Sequence, residues 1–254
     1  MPGYKNGKGS TLEKALAVLE AIVDQPQSIG SPDLAERVGM SRQSLHRLLT
    51  QLNELGIVVK IPNRDRFAIG SRLSKIALNA ICSANQGPPV RAIIQQVVAG
   101  INETCNMGVL SGREYIYIER VECDRLPRVY LETGSRLHPH VTSGGKAMLA
   151  HLPLDVRDAV VDTLDLKRFT EFTITDKAKL IEDLDIIRER GFAFAWQEFS
   201  EGIVGIGVPV ISKDGKALAS LALHAPIQRI SLENAATYAK KLQKGAKRLA
   251  EVWG

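Results

Sequence analysis

The sequence predicts an α+β chain of two domains, and three patterns support this fold class. Near the N-terminus, two helical stripes of apolar residues are separated by a short turn at Gly39. Two β-rich runs then flank a turn-forming Pro-Asn-Arg-Asp group at residues 62–65. Beyond residue 90, helical stretches mix with alternating runs, of which residues 115–121 are the clearest. A small helical unit closed by a hairpin should therefore precede a larger domain with an antiparallel sheet flanked by helices.

The composition is that of an ordinary globular protein, and its positive charge is unevenly placed. Of 254 residues, 44% are hydrophobic and 24% charged, which is enough apolar material for two cores. Residues 1–80 carry 11 basic and 7 acidic side chains, whereas the rest of the chain carries 22 and 21. The net charge of +5 therefore lies mainly with the N-terminal unit, as contact with phosphates requires.

Targeting signals and disulfides are not expected. No run of 18 apolar residues suggests a membrane span, and the N-terminal MPGYKNGKGS lacks the apolar stretch of a signal peptide, so a cytoplasmic protein is predicted. Cys82, Cys105 and Cys123 are too few and too scattered for a disulfide framework. We expect reduced thiols, since nothing near them indicates the lowered pKa of a redox switch.

The first predicted helix begins at a capping box. Ser10 and Glu13 are spaced so that each side chain can accept from the other's backbone N–H. Apolar residues follow at helical spacing and should cover the next two helices: Leu12, Ala15, Leu16, Leu19, Ile22 and Val23.

A helix pair at residues 31–56 is the centre of the N-terminal unit. We expect Ser31 to cap the first helix, with Pro32 at its first position and Gly39 at its left-handed end. Ser41 should cap the second helix, whose buried stripe is Leu45, Leu48, Leu49, Leu52 and Leu55.

The other face of the second helix carries side chains suited to reading DNA. Arginine and glutamine fit the edges of guanine and adenine, and the first turns of such a helix enter the major groove. The leucine spacing alone does not exclude a solvated polar face on an ordinary helix pair. The predicted DNA contacts on this helix are Ser41, Arg42, Gln43, Ser44, His46, Arg47 and Thr50.

The hairpin that follows is predicted to be a wing. Lys60 on its first strand, with Arg64 and Arg66 near its tip, is placed to contact a phosphate or the minor groove, although each would be unremarkable as a surface charge. We expect a DNA-binding domain over residues 1–71, a linker helix over 72–89 that ends at an Asn-Gln-Gly-Pro-Pro break, and a second domain over 90–254.

The second domain has the pattern of a sheet with helices. A helix should run through residues 93–101, residues 134–146 should be loop, and a helix should open at 147–151. The other predicted helices are 155–164, 176–190 and 232–252, and the predicted strands are 107–110, 115–121, 128–132, 203–211 and 217–224.

The order of these segments resembles the IclR family of bacterial transcriptional regulators over nearly the whole chain. The segments are STLEKALAVLEAI, SPDLAERVGMSRQSLHRLLTQLNELG, ETCNMGVLSGREYIYIERVE, TSGGKAMLAHLP, IRERGFAFAWQEFSEGIVGIGVPVI and ALASLALHAP. The resemblance implies an N-terminal winged helix-turn-helix, a linker helix that pairs protomers, and a C-terminal GAF-like domain that binds a small organic acid. It also implies a homodimer or dimer of dimers on a pseudo-palindromic operator, more often repressing than activating, with no cofactor.

The resemblance further implies an effector pocket beside the sheet, at Ser143, Gly144, Ala195, Gly205, Ala222 and His224. Backbone N–H groups of the glycine-rich loop would form a carboxylate cradle, although the glycines are also compatible with a mere tight turn. Family members that hold very small acids tend to have polar side chains where this chain has Ala195, Gly205 and Ala222. We therefore expect a larger or aromatic acid. His224, if protonated, could pair with its carboxylate, although a histidine at a strand end is at least as often a surface residue.

Two other functions compete with this reading. His138, His140, His151, His224 and Cys123 raise the possibility of a metal enzyme, but no metal-ligand spacing, catalytic serine motif or nucleotide loop is present, so neither a catalytic nor a metal site is predicted. The second alternative is a DNA-binding protein whose C-terminal domain only oligomerises, and the sequence does not dismiss it.

Overall fold

The computed structural model describes residues 10–25, 28–62, 64–84, 88–126 and 131–253. The chain divides into two compact units, Met1–Ala80 and Ile81–Gly254. No helix within the described ranges is long and apolar enough to cross a membrane.

The first unit is a winged helix-turn-helix. A three-stranded antiparallel sheet in the order β1-β3-β2 closes the helices. Its elements are α1 (Thr11–Val23), β1 (Ile29–Gly30), α2 (Ser31–Val38), α3 (Arg42–Glu54), β2 (Val58–Lys60) and β3 (Arg66–Ile69), and it contains most of α4 (Ser71–Ala84), which continues past Ala80.

Helix ends in this unit follow the sequence at three of the four predicted positions. The capping box at Ser10 is confirmed, Gly39 has a left-handed φ of 61°, and the Ser41 hydroxyl accepts from the backbone N–H of Ser44. The predicted cap at Ser31 is wrong. Gly30 occupies the N-cap position and Ser31 is already helical, because the short strand β1 delivers an extended residue directly to the helix.

The core of the unit confirms most of the leucine stripe of α3 and corrects the face assigned to α1. Leu45, Leu48, Leu49 and Leu52 are buried, but Leu55 follows the helix as its C-cap and is 50% exposed. In α1 the buried residues are Val18, Ala21 and Ile22, whereas the predicted core residues Leu12, Leu16 and Val23 are exposed. The helix is thus rotated from its predicted orientation and leaves an apolar stripe on its outer face.

The second unit is a six-stranded antiparallel sheet with helices on both faces, in the strand order β6-β5-β4-β9-β8-β7. Its strands are β4 (Cys105–Ser111), β5 (Glu114–Val121), β6 (Arg136–Leu137), β7 (Ala193–Trp196), β8 (Ile203–Ile211) and β9 (Ala217–Pro226). Its helices are α5 (Pro88–Ile101), α6 (Ser143–Ala150), α7 (Leu154–Thr163), α8 (Lys177–Arg190) and α9 (Leu232–Trp253), with a 3₁₀ turn at Pro139–Val141.

Alternation along β9 shows that the sheet separates two helical layers. Ser220 points toward Tyr115 and α6, and its neighbour Leu221 points toward Gly245 of α9. Burial on both faces explains why Tyr115 and Ile116 of β5 are both fully buried, so alternation in this strand does not mark a solvent face.

Three predictions for this unit need correction. The loop predicted over residues 134–146 contains β6 and the 3₁₀ turn, and α6 begins at Ser143, not at residue 147. Of the strand predicted over 128–132, residues 128–130 lie outside the described residues, and residues 131 and 132 are not in a strand. In the first unit, the two-residue strand β1 was not expected as an element, because so short a run gives too little periodicity.

Candidate DNA-reading surface and effector cluster

The outer face of α3 presents a contiguous set of polar side chains to solvent. Arg42, Gln43, His46 and Arg47 are all exposed, because the four buried leucines fix the rotation of the helix. None of the four side chains is held by a hydrogen bond or ion pair in the part of the chain that the structure describes. The donors and acceptors on this face are therefore free to meet a ligand.

Three hydroxyls in the predicted contact set are already engaged. Ser41 accepts the backbone N–H of Ser44 at 3.2 Å, and the two hydroxyls hydrogen-bond at 2.9 Å. The Thr50 hydroxyl donates to the carbonyl of His46 at 2.9 Å. These residues shape the start and surface of the helix more than they offer free donors.

The wing confirms the exposure of two of its three predicted cations. Arg64 is exposed, and Lys60 is exposed beside Asp65, with its Nζ 3.5 Å from the carboxylate. Arg66 is a correction. Its Nε donates to the Ser28 carbonyl at 2.9 Å and lies 3.1 Å from the Ser28 hydroxyl, so the guanidinium ties β3 to the residue before β1 and is not left for a phosphate.

In the second unit, the strand register brings the predicted effector residues together. Ala195 pairs with Gly205, Gly205 with His224, and Gly207 with Ala222, so these positions lie side by side across β7, β8 and β9. The first turn of α6 packs on the same spot, because a Cβ added to Gly205 would lie 2.6 Å from Ser143 Oγ. Ser143, Gly144, Ala195, Gly205, Ala222 and His224 thus form one cluster, here called the effector cluster.

Glycines allow α6 to sit this close to the sheet. A Cβ on Gly144 would lie 2.1 Å from the Tyr115 hydroxyl, and one on Gly207 would lie 2.4 Å from the backbone of Ser143. Gly144 and Gly145 therefore lie within a helix for packing reasons and do not form the predicted loop. Sequence reasoning could not assign Gly207 this role, since its only signal is the absence of a side chain.

Ser143 is the unusual member of the cluster. Its side chain is fully buried, and its Oγ has no hydrogen-bond partner among the described residues. A buried hydroxyl without a partner costs about 1–3 kcal/mol. It also stands at the positive end of α6, where an anion is favoured.

A chain of hydrogen bonds fixes the state of His224. Arg120 donates to Asn106 Oδ1 at 3.1 Å, so the amide nitrogen of Asn106 faces His224 Nδ1 at 3.2 Å and donates to it. The proton of the ring therefore sits on Nε2, which lies 3.4 Å from the Tyr117 hydroxyl. Burial, with a smaller contribution from Arg120, lowers the pKa of His224 to about 4.

The ring of His224 is therefore neutral near pH 7 and does not carry the charge that pairing with a carboxylate would require. It acts as a neutral donor through Nε2. The network also adds Asn106, Tyr117 and Arg120, which the sequence did not single out. Their only signal is placement on β4, which pairs with β9, and on β5, the next strand across the sheet.

A buried lysine fixes the other side of α6. Lys146 is 1% exposed, and its Nζ contacts Glu198 at 2.6 Å and Asp183 at 2.8 Å. Burial by itself would lower the pKa of Lys146, but the two carboxylates outweigh it and raise the pKa above its usual value. The ammonium thereby joins α6, α8 and the segment after β7.

The histidines and cysteines do not assemble a metal site. No group of three or more potential ligands is found among the described residues. His138 and His140 do not point to opposite faces, as an extended segment would require; their rings meet edge to face at 5.6 Å, because the segment turns into the 3₁₀ helix. Cys105 and Cys123 are buried reduced thiols, and the Cys82 side chain lies outside the described residues.

Family models match both units. The model for the IclR helix-turn-helix domain matches residues 11–62, and the model described as bacterial transcriptional regulator IclR C-terminal matches residues 88–251. The chain belongs to the IclR family of bacterial transcriptional regulators. Members of this family regulate transcription and are not enzymes. The N-terminal domain of this chain is a helix-turn-helix DNA-binding domain.

Individual relatives align over nearly the whole chain. The chain is 30% identical to SauR of Cupriavidus necator, a probable transcriptional regulator, over all of this chain and 99% of that protein. It is 28% identical to the transcriptional repressor IclR of Escherichia coli, over 98% of this chain and 91% of that protein. The crystal structure of the Thermotoga maritima IclR aligns with a TM-score of 0.63 and 25% identity, over 96% of this chain and 98% of that structure's chain.

One further relative carries the opposite regulatory sign in its name. The chain is 28% identical to the p-hydroxybenzoate hydroxylase transcriptional activator of Acinetobacter baylyi, over 86% of this chain and 82% of that protein.

Proposed function

We propose that the chain is a repressor that binds a pseudo-palindromic operator through α3 and the wing and that responds to an aromatic organic acid. In this proposal residues 1–71 bind DNA, 72–89 link, and 90–254 bind the effector. The unpaired, fully buried Ser143 hydroxyl at the positive end of α6 carries the effector part of the proposal. It is a built donor that nothing within the described protein uses.

On the DNA side, Arg42, Gln43, His46 and Arg47 read base edges, and Lys60 and Arg64 contact phosphates. All six side chains are exposed, and the four on α3 have no hydrogen-bond or ion-pair partner among the described residues. Both observations support this division. Arg66 is not included, because Ser28 holds it.

Arg47 offers the sharpest test of base reading. Arg47→Ala should weaken operator binding by about 1–3 kcal/mol and relax specificity at one position, measured by gel shift on upstream fragments of its own locus at fixed salt. Arg37→Ala is the matched control, since Arg37 lies on α2 beside Asp24. Equal weakening on all sequences would make Arg47 a phosphate contact, and no retardation by the unmodified protein would refute DNA reading.

In the effector cluster, the ligand carboxylate accepts from Ser143 Oγ while its ring lies beside Ala195 and Ala222, whose side chains end at Cβ. The edge-to-face rings of Tyr115 and Tyr117, 5.4 Å apart, supply an aromatic wall. The neutral His224 donates through Nε2 to the Tyr117 hydroxyl, which leaves the hydroxyl proton of Tyr117 for a second polar group of the ligand.

Ser143→Ala separates binding from folding. Because the hydroxyl has no partner, its removal should leave the free energy of unfolding unchanged or raised. Calorimetric titration with a panel of two-carbon, three-carbon and aromatic acids should show about tenfold weaker binding of the aromatic acid, from loss of one hydrogen bond to a charged group. Ser220→Ala is the control, since Ser220 hydrogen-bonds Tyr115 at 2.7 Å and its loss should lower stability instead.

Tight binding of two- and three-carbon acids with no response to aromatic acids would refute the size argument. No rise in melting temperature with any acid would favour the alternative that the second domain only oligomerises.

We also infer that protomers pair through apolar side chains of α4 and α1. Ile76 of α4 is 53% exposed, and Leu12, Leu16 and Val23 on the outer face of α1 are exposed as well. Large exposed apolar side chains in one unit mark an interface. Ile76→Glu should shift the protein toward monomer in sedimentation velocity. An unchanged dimer or tetramer would refute this interface.

A further inference from the structure

The second unit contains a groove that the effector cluster does not use. Its volume is ≈ 540 Å³, and Pro209, Ile211 and Ala246 form its apolar part. It shares no residue with the effector cluster, so an inference about it stands independently of the proposed effector. Its size falls in the range of small-molecule sites, about 300–1,000 Å³.

Three lysines of α9 line this groove. Lys240, Lys244 and Lys247 are spaced at i, i+4 and i+7, which places their side chains on one face over about 10 Å of helix. All three are exposed, and within the described ranges none forms an ion pair or a side-chain hydrogen bond. By contrast, Lys241 donates to the carbonyl of Gly100 at 2.9 Å.

The residues that line the groove in the described structure include no carboxylate. The three exposed lysines therefore line one side of the groove with no acidic residue among the lining residues. Such an arrangement concentrates positive potential in a concave site and attracts multivalent anions. Lysine ammonium groups, as compact point charges, commonly bind phosphate oxygens.

His151 supplies a hydrogen-bond acceptor to the groove, whereas the three lysines supply only donors. Its Nδ1 lies 2.9 Å from the carbonyl of Ala147, so Nδ1 carries the proton and donates to that oxygen. Burial, with a contribution from Arg188, lowers the pKa of His151 and keeps the ring neutral. Nε2 is left as an acceptor for an N–H or O–H donor in the groove.

We propose that this groove binds a nucleotide-sized polyphosphate compound. The phosphates lie against Lys240, Lys244 and Lys247, the planar ring rests on Pro209 and Ile211, and an N–H of the ring donates to His151 Nε2. A concave site with an apolar floor fits such a molecule better than duplex DNA, whose phosphates lie on a convex rod.

Calorimetric titration of the full-length protein with ATP, inorganic triphosphate and citrate tests the proposal. We expect one ATP per chain, weaker binding of triphosphate, and no binding of citrate at the same concentrations. Lys244→Glu should weaken ATP binding at least about tenfold, because it turns an attraction into a repulsion. Lys179→Glu, at an exposed lysine of α8, should leave the affinity unchanged.

His151→Asn separates the two ends of the ligand. Its side-chain amide can still donate to the Ala147 carbonyl, but it lacks an acceptor at the place of Nε2. It should weaken ATP binding and leave triphosphate binding unchanged.

Three outcomes would overturn the proposal. The first is the absence of ATP and triphosphate binding. The second is an equal effect of Lys244→Glu and Lys179→Glu. The third is displacement of ATP by a non-operator DNA duplex that also depends on Lys244, which would assign this face to DNA.

Discussion

Replacing Gly144 by alanine tests the packing that places the effector cluster. A Cβ at this position would lie 2.1 Å from the Tyr115 hydroxyl, against the 3.4 Å where ordinary contact begins, so the tyrosine must retreat by about 1.3 Å. Tyr115 is fully buried and hydrogen-bonds Ser220 at 2.7 Å. It has no room to move without breaking that bond.

The expected cost combines three contributions. Overpacking a rigid core costs about 1–3 kcal/mol, and loss of the Tyr115–Ser220 hydrogen bond costs about 1 kcal/mol. The gain in helix propensity from glycine to alanine returns about 1 kcal/mol. The net loss is about 2 kcal/mol, which corresponds to a fall of about 4–8 °C in the melting temperature of a unit of this size.

Urea unfolding followed by tryptophan fluorescence provides the assay, because both tryptophans, Trp196 and Trp253, belong to the second unit. Gly100→Ala is the matched control: Gly100 also lies in a helix, but nothing lies within 4 Å of its added Cβ, so stability should rise by up to about 1 kcal/mol. Adding Tyr115→Phe to Gly144→Ala should not restore the loss, because the ring carbon Cζ, which phenylalanine keeps, would still lie 2.6 Å from the added Cβ. If Gly144→Ala behaves like Gly100→Ala, the close packing of α6 on the sheet is refuted.

Three further predictions concern charged and titratable groups. The folded-state pKa of His224, about 4, lies below its unfolded value of about 6.5, so its contribution to stability is complete above pH 6.5 and is lost toward pH 4. His224→Gln should therefore lose about 3 kcal/mol less than the unmodified protein between pH 7 and pH 4 in urea unfolding, and equal losses would contradict this. Lys146→Ala should cost about 3–5 kcal/mol in the same assay, because it leaves Glu198 buried without a counter-charge. Lys146→Met combined with Glu198→Leu should recover most of this loss. If the effects of the two substitutions were instead additive, the result would count against an interaction between the pair. Arg66→Ala should lower the stability of the first unit by about 1–3 kcal/mol, measured by thermal unfolding, while Arg64→Ala should leave stability unchanged and weaken DNA binding; the reverse pattern would restore Arg66 as a DNA contact.

Local chemistry in the sequence determined most of the helix ends in the first unit. The capping box at Ser10, the left-handed turn at Gly39 and the cap at Ser41 depend on side chains within a few residues of each other, so spacing alone predicted them. The exposure of Arg47 followed from the leucine stripe on the same helix. Where the prediction failed, at Ser31 and along α1, the deciding contact came from another element.

The effector cluster depended on tertiary structure. Its members lie on four elements separated by up to about 80 residues, and only the strand register and the approach of α6 bring them together. The family resemblance named Ser143 and His224, but burial and neighbouring groups set the chemistry of both side chains. The Ser143 hydroxyl has no hydrogen-bond partner among the described residues, and burial keeps the His224 ring neutral. The physical reason is that periodicity reports which face of an element is apolar, whereas desolvation and hydrogen bonding depend on what packs against that face.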